Sequence, residues 1–301
     1  MFKSSWAALA SLFFLVPAVF ADAQCPGSVA SVHVRYFLGS ITIIGVKINH
    51  TGPYDFVVDT GSEVSAIDPG LASNLRLKAE GEAGLVGVAS RSRTRYAHLD
   101  LVEIGSQAIA TPVIFIRDMG HFQDLDRDIR GVIGGNILRH FDVLFEQDKN
   151  LLCLDREGVM RNSIRGERIP LAVPPVGDGS GAATEPLIAE VSLPRFTSRP
   201  LYLLLDSGAN VPYLCESSRG SLPSIAGRHM HIPGASGPGR DYIALPPQDI
   251  PIGHNVLRRV SFVVPASGST VKLQVDGMLP TGLFRRVYIS YLGRFLILEP
   301  W

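Results

Sequence analysis

Short apolar runs, many alternating with polar residues, follow one another along the chain and are separated by glycine, proline and asparagine. Runs of this length predict β-strands joined by turns, and they argue against long helices. In the first half of the chain the predicted strands are residues 41–48, 54–58, 95–104, 111–116, 142–146 and 151–154. In the second half they are residues 201–205, 260–264, 287–291 and 295–298. The pattern therefore predicts an all-β fold.

Two short helices and one turn complete this prediction. Residues 136–140 begin at Asn136, a residue type that often caps a helix, and residues 283–286 occupy a similar place in the second half. The turn is predicted at residues 51–53, because Gly52 and Pro53 separate two apolar runs.

One motif occurs twice, and other glycines keep step with it. The segment FVVDTGS at residues 56–62 recurs as LLLDSGA at residues 203–209, so that Asp59 and Asp206 are 147 positions apart. Glycines follow these aspartates at closely similar distances, namely Gly87 and Gly234, Gly105 and Gly253, and Gly131 and Gly277. A repeat with this long period indicates two domain-sized units and not a solenoid of short repeats.

The predicted domain organisation follows from the repeat and from composition. Residues 1–23 are predicted to be a signal peptide, 24–160 an N-terminal lobe, 161–185 a linker and 186–301 a C-terminal lobe. The linker contains the glycine-rich and serine-containing stretch 177–184, which has no core-forming pattern.

The first 23 residues predict export to the periplasm or secretion. Lys3 precedes an apolar run at residues 6–20, and Ala21-Asp22-Ala23 offers a cleavage site. The alternatives are an uncleaved leader that anchors the chain in a membrane and a lipid on Cys25. The run is shorter than the roughly 20 residues of a spanning helix, and Asp22-Ala23-Gln24 matches lipoprotein processing poorly. No stable membrane span is expected after cleavage.

Composition excludes some partners. The chain has 28 lysine and arginine residues against 28 aspartate and glutamate residues, and this balance argues against nucleic acid or an anionic membrane as a partner. Three cysteines are too few for a disulfide scaffold. Whether Cys153 and Cys215 pair is left open, because sequence alone does not bring them within bonding distance.

The repeated aspartates are the candidate catalytic residues. A single carboxylate after a buried strand is usually a turn former that accepts backbone N–H bonds, because an isolated charge there is penalised. Two copies related by a pseudo-two-fold axis would instead bring Asp59 and Asp206 together. Paired carboxyls share one proton, so that one can act as a general base on water while the other donates to a carbonyl oxygen. Peptide hydrolysis fits this division of labour.

The neighbouring residues are predicted to support the aspartates. Gly61 and Gly208 allow backbone N–H groups to approach the carboxylates, and the hydroxyls of Thr60 and Ser207 can hydrogen-bond between the two units. Ser62 follows the first motif, where a hydroxyl favours the charged form of Asp59; alanine occupies the corresponding position 209 in the second motif. We therefore expect Asp206 to carry the shared proton.

These motifs resemble the pepsin/retropepsin-like aspartic proteases in their single-chain, two-copy form. The resemblance covers roughly residues 41–298 and includes Val132-Ile133-Gly134, which is similar to the family's motif behind the catalytic loop. It implies a bilobal all-β fold of two retropepsin-like units, and an endopeptidase that binds a peptide or protein substrate between the lobes. It also implies a monomer that needs neither a metal nor another cofactor. The flap and substrate-binding positions it implies are Gly84, Gly87, Gly234 and Gly237.

One departure from the family pattern leaves an alternative function open. Pro280 replaces the expected glycine in the second unit, and proline has no N–H group. The chain could then bind a peptide without cleaving it, or both aspartates could serve only as turn formers in a structural protein.

Three further features are given structural interpretations. His229 and His231 are expected to be surface histidines because no ligand set completes a metal site. Cys215 is expected to be a buried apolar residue or a disulfide partner. The alternating arginines of residues 91–95 are expected to form the solvated side of a strand.

Overall fold

The computed structural model describes residues 24–86, 91–172, 186–215, 227–234, 237–266 and 275–301. The predicted signal peptide, Gly87 and residues 173–185 of the predicted linker lie outside the described residues. Residues 24–172 are called the first half below, and residues 186–301 the second half.

The first half is built mainly from short strands. In chain order they are β1 (Ala30–His33), β2 (Arg35–Phe37), β3 (Ile41–Ile48), β4 (Thr51–Val58), β5 (Ala66–Ile67), β6 (Gly81–Val86), β7 (Arg91–His98), β8 (Leu101–Ile104), β9 (Gln107–Ala110), β10 (Val113–Ile116), β11 (Ile129–Ile133), β12 (Asp142–Glu146), β13 (Leu151–Asp155) and β14 (Ile169–Pro170). The helices are short, namely α1 (Pro69–Asn74), α2 (Gly120–Gln123), α3 (Gly135–Leu138) and α4 (Val159–Ser163), with 3-10 turns at Pro26–Ser28 and Gln147–Lys149.

The second half has the same character. Its strands are β15 (Ile188–Val191), β16 (Leu201–Asp206), β17 (Tyr213–Leu214), β18 (Arg228–Gly234), β19 (Gly237–Ala244), β20 (Gln248–Ile252), β21 (Asn255–Val260), β22 (Val263–Pro265), β23 (Gly277–Pro280), β24 (Phe284–Ser290) and β25 (Phe295–Pro300). A 3-10 turn covers Thr281–Leu283. The all-β fold class predicted from the sequence is confirmed.

The two halves share one strand order. In the first half the main sheet runs β6-β7-β10-β5-β11-β4-β3-β8-β9, with β2 paired to β3. In the second half the sheet runs β18-β19-β22-β17-β23-β16-β15, which is the same order over its seven strands. The hairpin β20–β21 corresponds to β8–β9, and both turn at a glycine with positive φ, 58° at Gly105 and 57° at Gly253. The sequence repeat is therefore a repeat of topology.

A third sheet contains strands of both halves. Its order is β1-β13-β12-β24-β25-β14, and β12 and β24 pair antiparallel from Val143↔Ile289 to Glu146↔Arg286. Strand β14, within the predicted linker, pairs with β25 at the edge of this sheet. The proposed domain boundaries 24–160, 161–185 and 186–301 remain a prediction.

Alternating side chains of the central strands enter two separate apolar layers. In β4, Phe56 and Val58 belong to the main core, whereas Val57 faces the other side of the sheet. We call the set around Val57 the second apolar cluster, which consists of Ile41, Ile43, Val57, Ala66, Phe115, Met119, Phe122, Ile129 and Val132. Burial on both faces explains why the last three residues of β4, 56–58, are all apolar.

The turn predicted at residues 51–53 is wrong. Strand β4 begins at Thr51, and the chain reverses at Asn49 and His50, both with positive φ. Asparagine tolerates this conformation, and the Thr51 hydroxyl closes the turn by donating to the Ile48 carbonyl oxygen at 2.7 Å. The predicted strand at 95–104 is also interrupted, between β7 and β8.

The two predicted helices have different outcomes. A helical turn does form at Gly135–Leu138, but its cap is Gly134, because the Asn136 side chain hydrogen-bonds elsewhere. The helix predicted at 283–286 is wrong. Those residues end a 3-10 turn and begin β24, whose Phe284, Val287 and Ile289 fill the main core.

Cys153 pairs with Cys25 and not with Cys215. The two residues form a disulfide, and their Cα atoms are 5.7 Å apart. It attaches the segment before β1 to β13, over 128 positions of sequence. Cys215 is free and buried, and burial raises the pKa of its thiol to about 12. In the described part of the chain, no helix is both long enough and apolar enough to cross a membrane.

Candidate active site

The two Asp-Thr/Ser-Gly motifs follow the central strand of each half. Strand β4 ends at Val58, and the Asp59 N–H group continues the ladder by donating to the Ile133 carbonyl oxygen at 2.9 Å. Asp206 is the last residue of β16 and pairs with Pro280 of β23. Each aspartate is thus held at the end of a buried parallel pair of strands.

The motifs contact each other through reciprocal hydrogen bonds. The Thr60 hydroxyl donates to the Leu205 carbonyl oxygen at 2.7 Å, and the Ser207 hydroxyl donates to the Val58 carbonyl oxygen at 2.7 Å. The Thr60 and Ser207 N–H groups donate to each other's hydroxyl at 3.1 and 3.0 Å. Equivalent residues exchange equivalent bonds, which is the signature of a two-fold relationship.

Each carboxyl lies against the glycine of the opposite motif. A Cβ atom on Gly61 would lie 2.7 Å from the Asp206 Cγ atom, and one on Gly208 would lie 2.7 Å from the Asp59 Cγ atom. Any side chain at these positions would therefore displace a carboxyl group. The two glycines are needed for the close approach of the motifs.

The two carboxyls differ in their donors. The Asp59 Oδ1 atom accepts from the N–H groups of Gly61 at 2.9 Å and Ser62 at 3.1 Å, and its Oδ2 atom accepts from the Ser62 hydroxyl at 2.7 Å. Asp206 accepts from the N–H groups of Gly208, at 2.8 Å, and Ala209. The second motif has Ala209 where the first has Ser62, so Asp206 receives no bond equivalent to that of the Ser62 hydroxyl.

This asymmetry favours the protonated form of Asp206. Burial raises the pKa of Asp206 well above its ordinary value, and the charge of Asp59 and a hydrogen bond between the two carboxyls raise it further. Asp206 is 7% exposed, whereas Asp59 is only partly buried. Asp59 is thus the better solvated and better hydrogen-bonded of the two carboxyls. The arrangement offers one base and one acid side by side.

Gly134 packs closely behind the first motif. A Cβ atom there would lie 2.8 Å from the Ser62 carbonyl oxygen, and the Gly134 N–H group donates to the Ser65 hydroxyl at 2.9 Å. Ser65 in turn donates to the Asn136 Oδ1 atom at 2.8 Å. A small polar network therefore supports the Asp59 loop from below.

At the equivalent positions of the second half, all of which the structure describes, the residues of this network are replaced together. Strand register makes Pro280 the equivalent of Gly134 and Pro212 the equivalent of Ser65. Pro280 has no N–H group to donate, and Pro212 has no hydroxyl to accept. Replacing Gly134 and Ser65 by these two prolines therefore leaves no unpaired buried group at either position. Asn136 is likewise replaced by Gly282.

The predicted flap residues lie in two equivalent hairpins. Gly84 lies in β6 opposite Arg93 of β7, and Gly234 pairs with Gly237 where β18 and β19 approach their turn. Gly87 is outside the described residues. A Cβ atom on Gly84 would meet no atom within 4 Å, so this strand is open at that point.

The other candidate residues lie apart from the aspartates. His231 pairs with Asp241 at 3.0 Å on the exposed hairpin β18–β19, and Arg93 pairs with Glu82 at 3.3 Å. Among the described residues, no group of three or more histidine, cysteine or acidic side chains could hold a metal.

Sequence reasoning missed two residues near the site. The Ser40 hydroxyl donates to the Ala209 carbonyl oxygen at 2.6 Å and so connects the first half to the second motif. Arg117 lies within electrostatic range of Asp59. Strand alternation could have indicated the side of the sheet on which Arg117 lies, because Arg117 follows Phe115 by two residues at the end of β10.

The comparisons with known proteins cover part of the chain. Residues 44–137 match a family model described as aspartyl protease. No curated protein matches the chain. A crystal structure of a retropepsin-like aspartic protease from Rickettsia conorii is 21% identical, over 41% of this chain and 87% of that one, with a TM-score of 0.29. The matched family supports a protease-type function. Residues 44–137, which contain the first motif, match the aspartyl protease family, and over that segment the family resemblance found in the sequence is confirmed.

Proposed function

We propose that the protein is an aspartic endopeptidase whose catalytic residues are Asp59 and Asp206. The observation that carries the proposal is the direct contact of the two carboxyls, with the pKa of Asp206 raised by its burial and by the charge of Asp59. A protonated acid beside an ionised one can supply both the general base and the general acid for hydrolysis of an amide.

The proposed reaction needs one water molecule and no covalent enzyme intermediate. Ionised Asp59 takes a proton from a water molecule held between the carboxyls, and the water oxygen attacks the peptide carbonyl carbon. Protonated Asp206 donates its proton to the carbonyl oxygen, which gives a gem-diol. The C–N bond then breaks as the proton on Asp59 passes to the leaving nitrogen, and Asp206 recovers its proton from the gem-diol hydroxyl.

The hydrogen bonds around the motifs support this division of roles. Three donors converge on Asp59, and these stabilise its charged form. The reciprocal bonds of Thr60 and Ser207 fix the separation of the carboxyls, since each hydroxyl is bonded to the backbone of the opposite motif.

The substrate proposed is an extended peptide segment of a polypeptide, bound between the halves beneath the hairpins β6–β7 and β18–β19. Extended peptides bind such sites by adding strand-like backbone hydrogen bonds. The enzyme is proposed to act as a monomer with an internal pseudo-dimer, after export. The Cys25–Cys153 disulfide supports an oxidising compartment.

Proteolysis of an unfolded protein tests the proposal. A reduced and alkylated protein should be cut by the wild type between about pH 3 and 6, whereas Asp59→Asn and Asp206→Asn should each lose at least about a thousandfold in rate. Asp100→Asn is the matched control, because Asp100 is exposed on the turn between β7 and β8. Equal cleavage by wild type and Asp59→Asn would overturn the proposal.

The alternative is a module of the same fold that binds peptides without cleaving them, suggested by Pro280. It predicts saturable peptide binding with no products after long incubation. The paired absence of a donor at Pro280 and an acceptor at Pro212 favours an intact second motif, and so favours the enzyme.

A further inference from the structure

Arg117 and Asp59 extend from the same face of the first-half sheet. Val57 and Phe115 both belong to the second apolar cluster, and side chains two residues apart on a strand point to one side. Asp59 follows Val57 by two residues. Arg117 follows Phe115 by two residues, and its N–H group continues the ladder by donating to the Ile67 carbonyl oxygen at 3.1 Å.

The guanidinium of Arg117 is half-buried near two acids without being hydrogen-bonded to either. Burial lowers the pKa of Arg117, and the charges of Asp59 and Asp118 oppose that effect. Arginine remains protonated under such conditions. Among the described residues, no hydrogen bond or ion pair satisfies this side chain. Nearby Arg130, by contrast, forms a bidentate pair with Asp68 at 2.6 and 3.0 Å.

A partly desolvated guanidinium whose N–H groups have no acceptor favours the binding of a ligand that carries a planar anionic group. Its five N–H groups match the two oxygens of a carboxylate, and such charge-assisted pairs are stronger than neutral hydrogen bonds. The Asp59 side chain is already supplied by three donors of its own motif. Arg117 is therefore available to a carboxylate that arrives with the substrate.

The position equivalent to Arg117 in the second half is occupied by proline. Phe115 pairs with Ala66 in the first half as Val263 pairs with Tyr213 in the second, so Pro265 occupies the position equivalent to Arg117. A peptide lying across the aspartates would meet a positive charge toward the first half and proline at the equivalent position of the second.

We propose that Arg117 is a specificity residue that binds a carboxylate of the peptide substrate on the first-half side of the scissile bond. The inference rests on the proposed endopeptidase function and adds a substrate class, namely peptides with an acidic residue near the cleaved bond. The same guanidinium could take a free C-terminal carboxylate, and the experiment separates these two sources.

Matched peptides provide the first arm of the test. The substrates are quenched fluorescent peptides with amidated C-termini and an apolar pair at the cleavage site. Each peptide carries one Glu, and its position is moved through the successive positions around that pair. Each Glu peptide has a matched peptide with Gln at the same position. The wild type should prefer Glu over Gln at one position by about tenfold in kcat/KM. Arg117→Gln should reduce that ratio to about one while still cleaving the Gln peptide. If the enzyme instead prefers only peptides whose C-terminus is a free acid over the same peptides with an amidated C-terminus, the carboxylate that Arg117 binds is the C-terminal one.

Two further variants exclude simple causes. Arg117→Lys keeps the charge and loses the bidentate geometry, so part of the preference should remain. Arg127→Gln removes an exposed arginine ten positions later and should leave the ratio unchanged. Thermal unfolding of each variant shows that it is folded, and a ratio that Arg117→Gln leaves unaltered would overturn the inference.

Binding separates this inference from the endopeptidase proposal. Asp206→Asn mimics the protonated acid, and its affinity for the Glu and Gln peptides can be measured by fluorescence anisotropy without turnover. A Glu preference in Asp206→Asn that disappears in Asp206→Asn/Arg117→Gln supports acid recognition even if the wild type cleaves nothing. Turnover with equal use of Glu and Gln peptides contradicts acid recognition and leaves the endopeptidase proposal standing.

Discussion

Thr60 and Ser207 hydrogen-bond each other in both directions, since the backbone N–H group of each donates to the hydroxyl of the other. Both hydroxyls also donate to carbonyl oxygens of the opposite motif, at Leu205 and Val58. These four hydrogen bonds thereby satisfy six buried polar groups in two distant segments at once. The position of one aspartate loop is then fixed only when the other is in place.

Removing the Thr60 hydroxyl should be costly. Thr60→Val keeps the shape of the side chain but leaves the Leu205 carbonyl oxygen and the Ser207 N–H group without partners. We expect the free energy of unfolding in urea to fall by about 2–5 kcal/mol, from two unsatisfied buried groups. Thr60→Ser retains the hydroxyl and should lose less than about 1.5 kcal/mol. Equal losses in the two variants would show that the hydroxyl contributes little.

Asp206 should destabilise the folded protein as the pH rises. Its pKa is raised in the folded state, so between about pH 4, the ordinary carboxyl range, and that raised pKa the unfolded chain releases a proton that the folded chain retains. Stability then falls with pH by up to about 1.4 kcal/mol per pH unit. Asp206→Asn should therefore be more stable than wild type near pH 7, and this gain should vanish below about pH 4.

Chemical unfolding at a series of pH values measures that difference, with Asp100→Asn as a control that should follow the wild type. A gain for Asp206→Asn that is constant with pH would contradict the retained proton.

Ser62 should control activity at low pH. Its hydroxyl donates to the Asp59 Oδ2 atom and favours the ionised base. In Ser62→Ala the acidic limb of the pH–rate profile should move to higher pH, with activity near pH 3 reduced about three- to tenfold. Ala209→Ser adds the corresponding hydroxyl beside Asp206 and should move the basic limb to lower pH. An acidic limb that does not move in Ser62→Ala would remove this role.

The prolines behind the second motif should be coupled. Pro280→Gly introduces a buried N–H group that has no acceptor at Pro212, and we expect a loss of about 1–3 kcal/mol in unfolding free energy. Pro212→Ser supplies an acceptor of the kind that Ser65 provides in the first half. The double variant should therefore be more stable than the sum of the single losses predicts, and a double-mutant cycle measures this. Strict additivity would contradict the pairing.

The disulfide should matter more than the free cysteine. Cys25→Ser/Cys153→Ser should lower the free energy of unfolding by about 2–5 kcal/mol, because the bond closes a long loop of the unfolded chain. Cys215 is buried with a raised pKa, so a thiol reagent at pH 8 should not label the folded wild type. Rapid labelling of native protein, or unchanged stability of the double variant, would contradict these assignments.

The two aspartate motifs could be predicted from the sequence because the local chemistry and the repeat both indicate the same structure at these positions. An apolar strand followed by Asp-Thr-Gly fixes both the strand and the turn, and the second copy gives the pairing partner. The predictions that were wrong concern residues with long-range partners. Asn136 has the local signature of a helix cap, but Ser65 is 71 positions away and takes its side chain. Residues 284–286 become strand because β24 pairs with β12 and β25.

The same limit applies around the site. Neither Ser40 nor Arg117 belongs to a local motif, and each reaches the aspartates only through the fold. The catalytic assignments themselves remain predictions that the experiments above test.

The β12–β24 pairing joins the halves through main-chain hydrogen bonds that do not depend on the covalent connection between them. Proteolytic nicking within residues 173–185 should consequently yield two fragments that stay associated and can be reconstituted from separate expression. Each fragment alone would present an unpaired strand edge to solvent. At high concentration the same edge offers a route to exchanged dimers, in which β24 of one molecule completes the sheet of another.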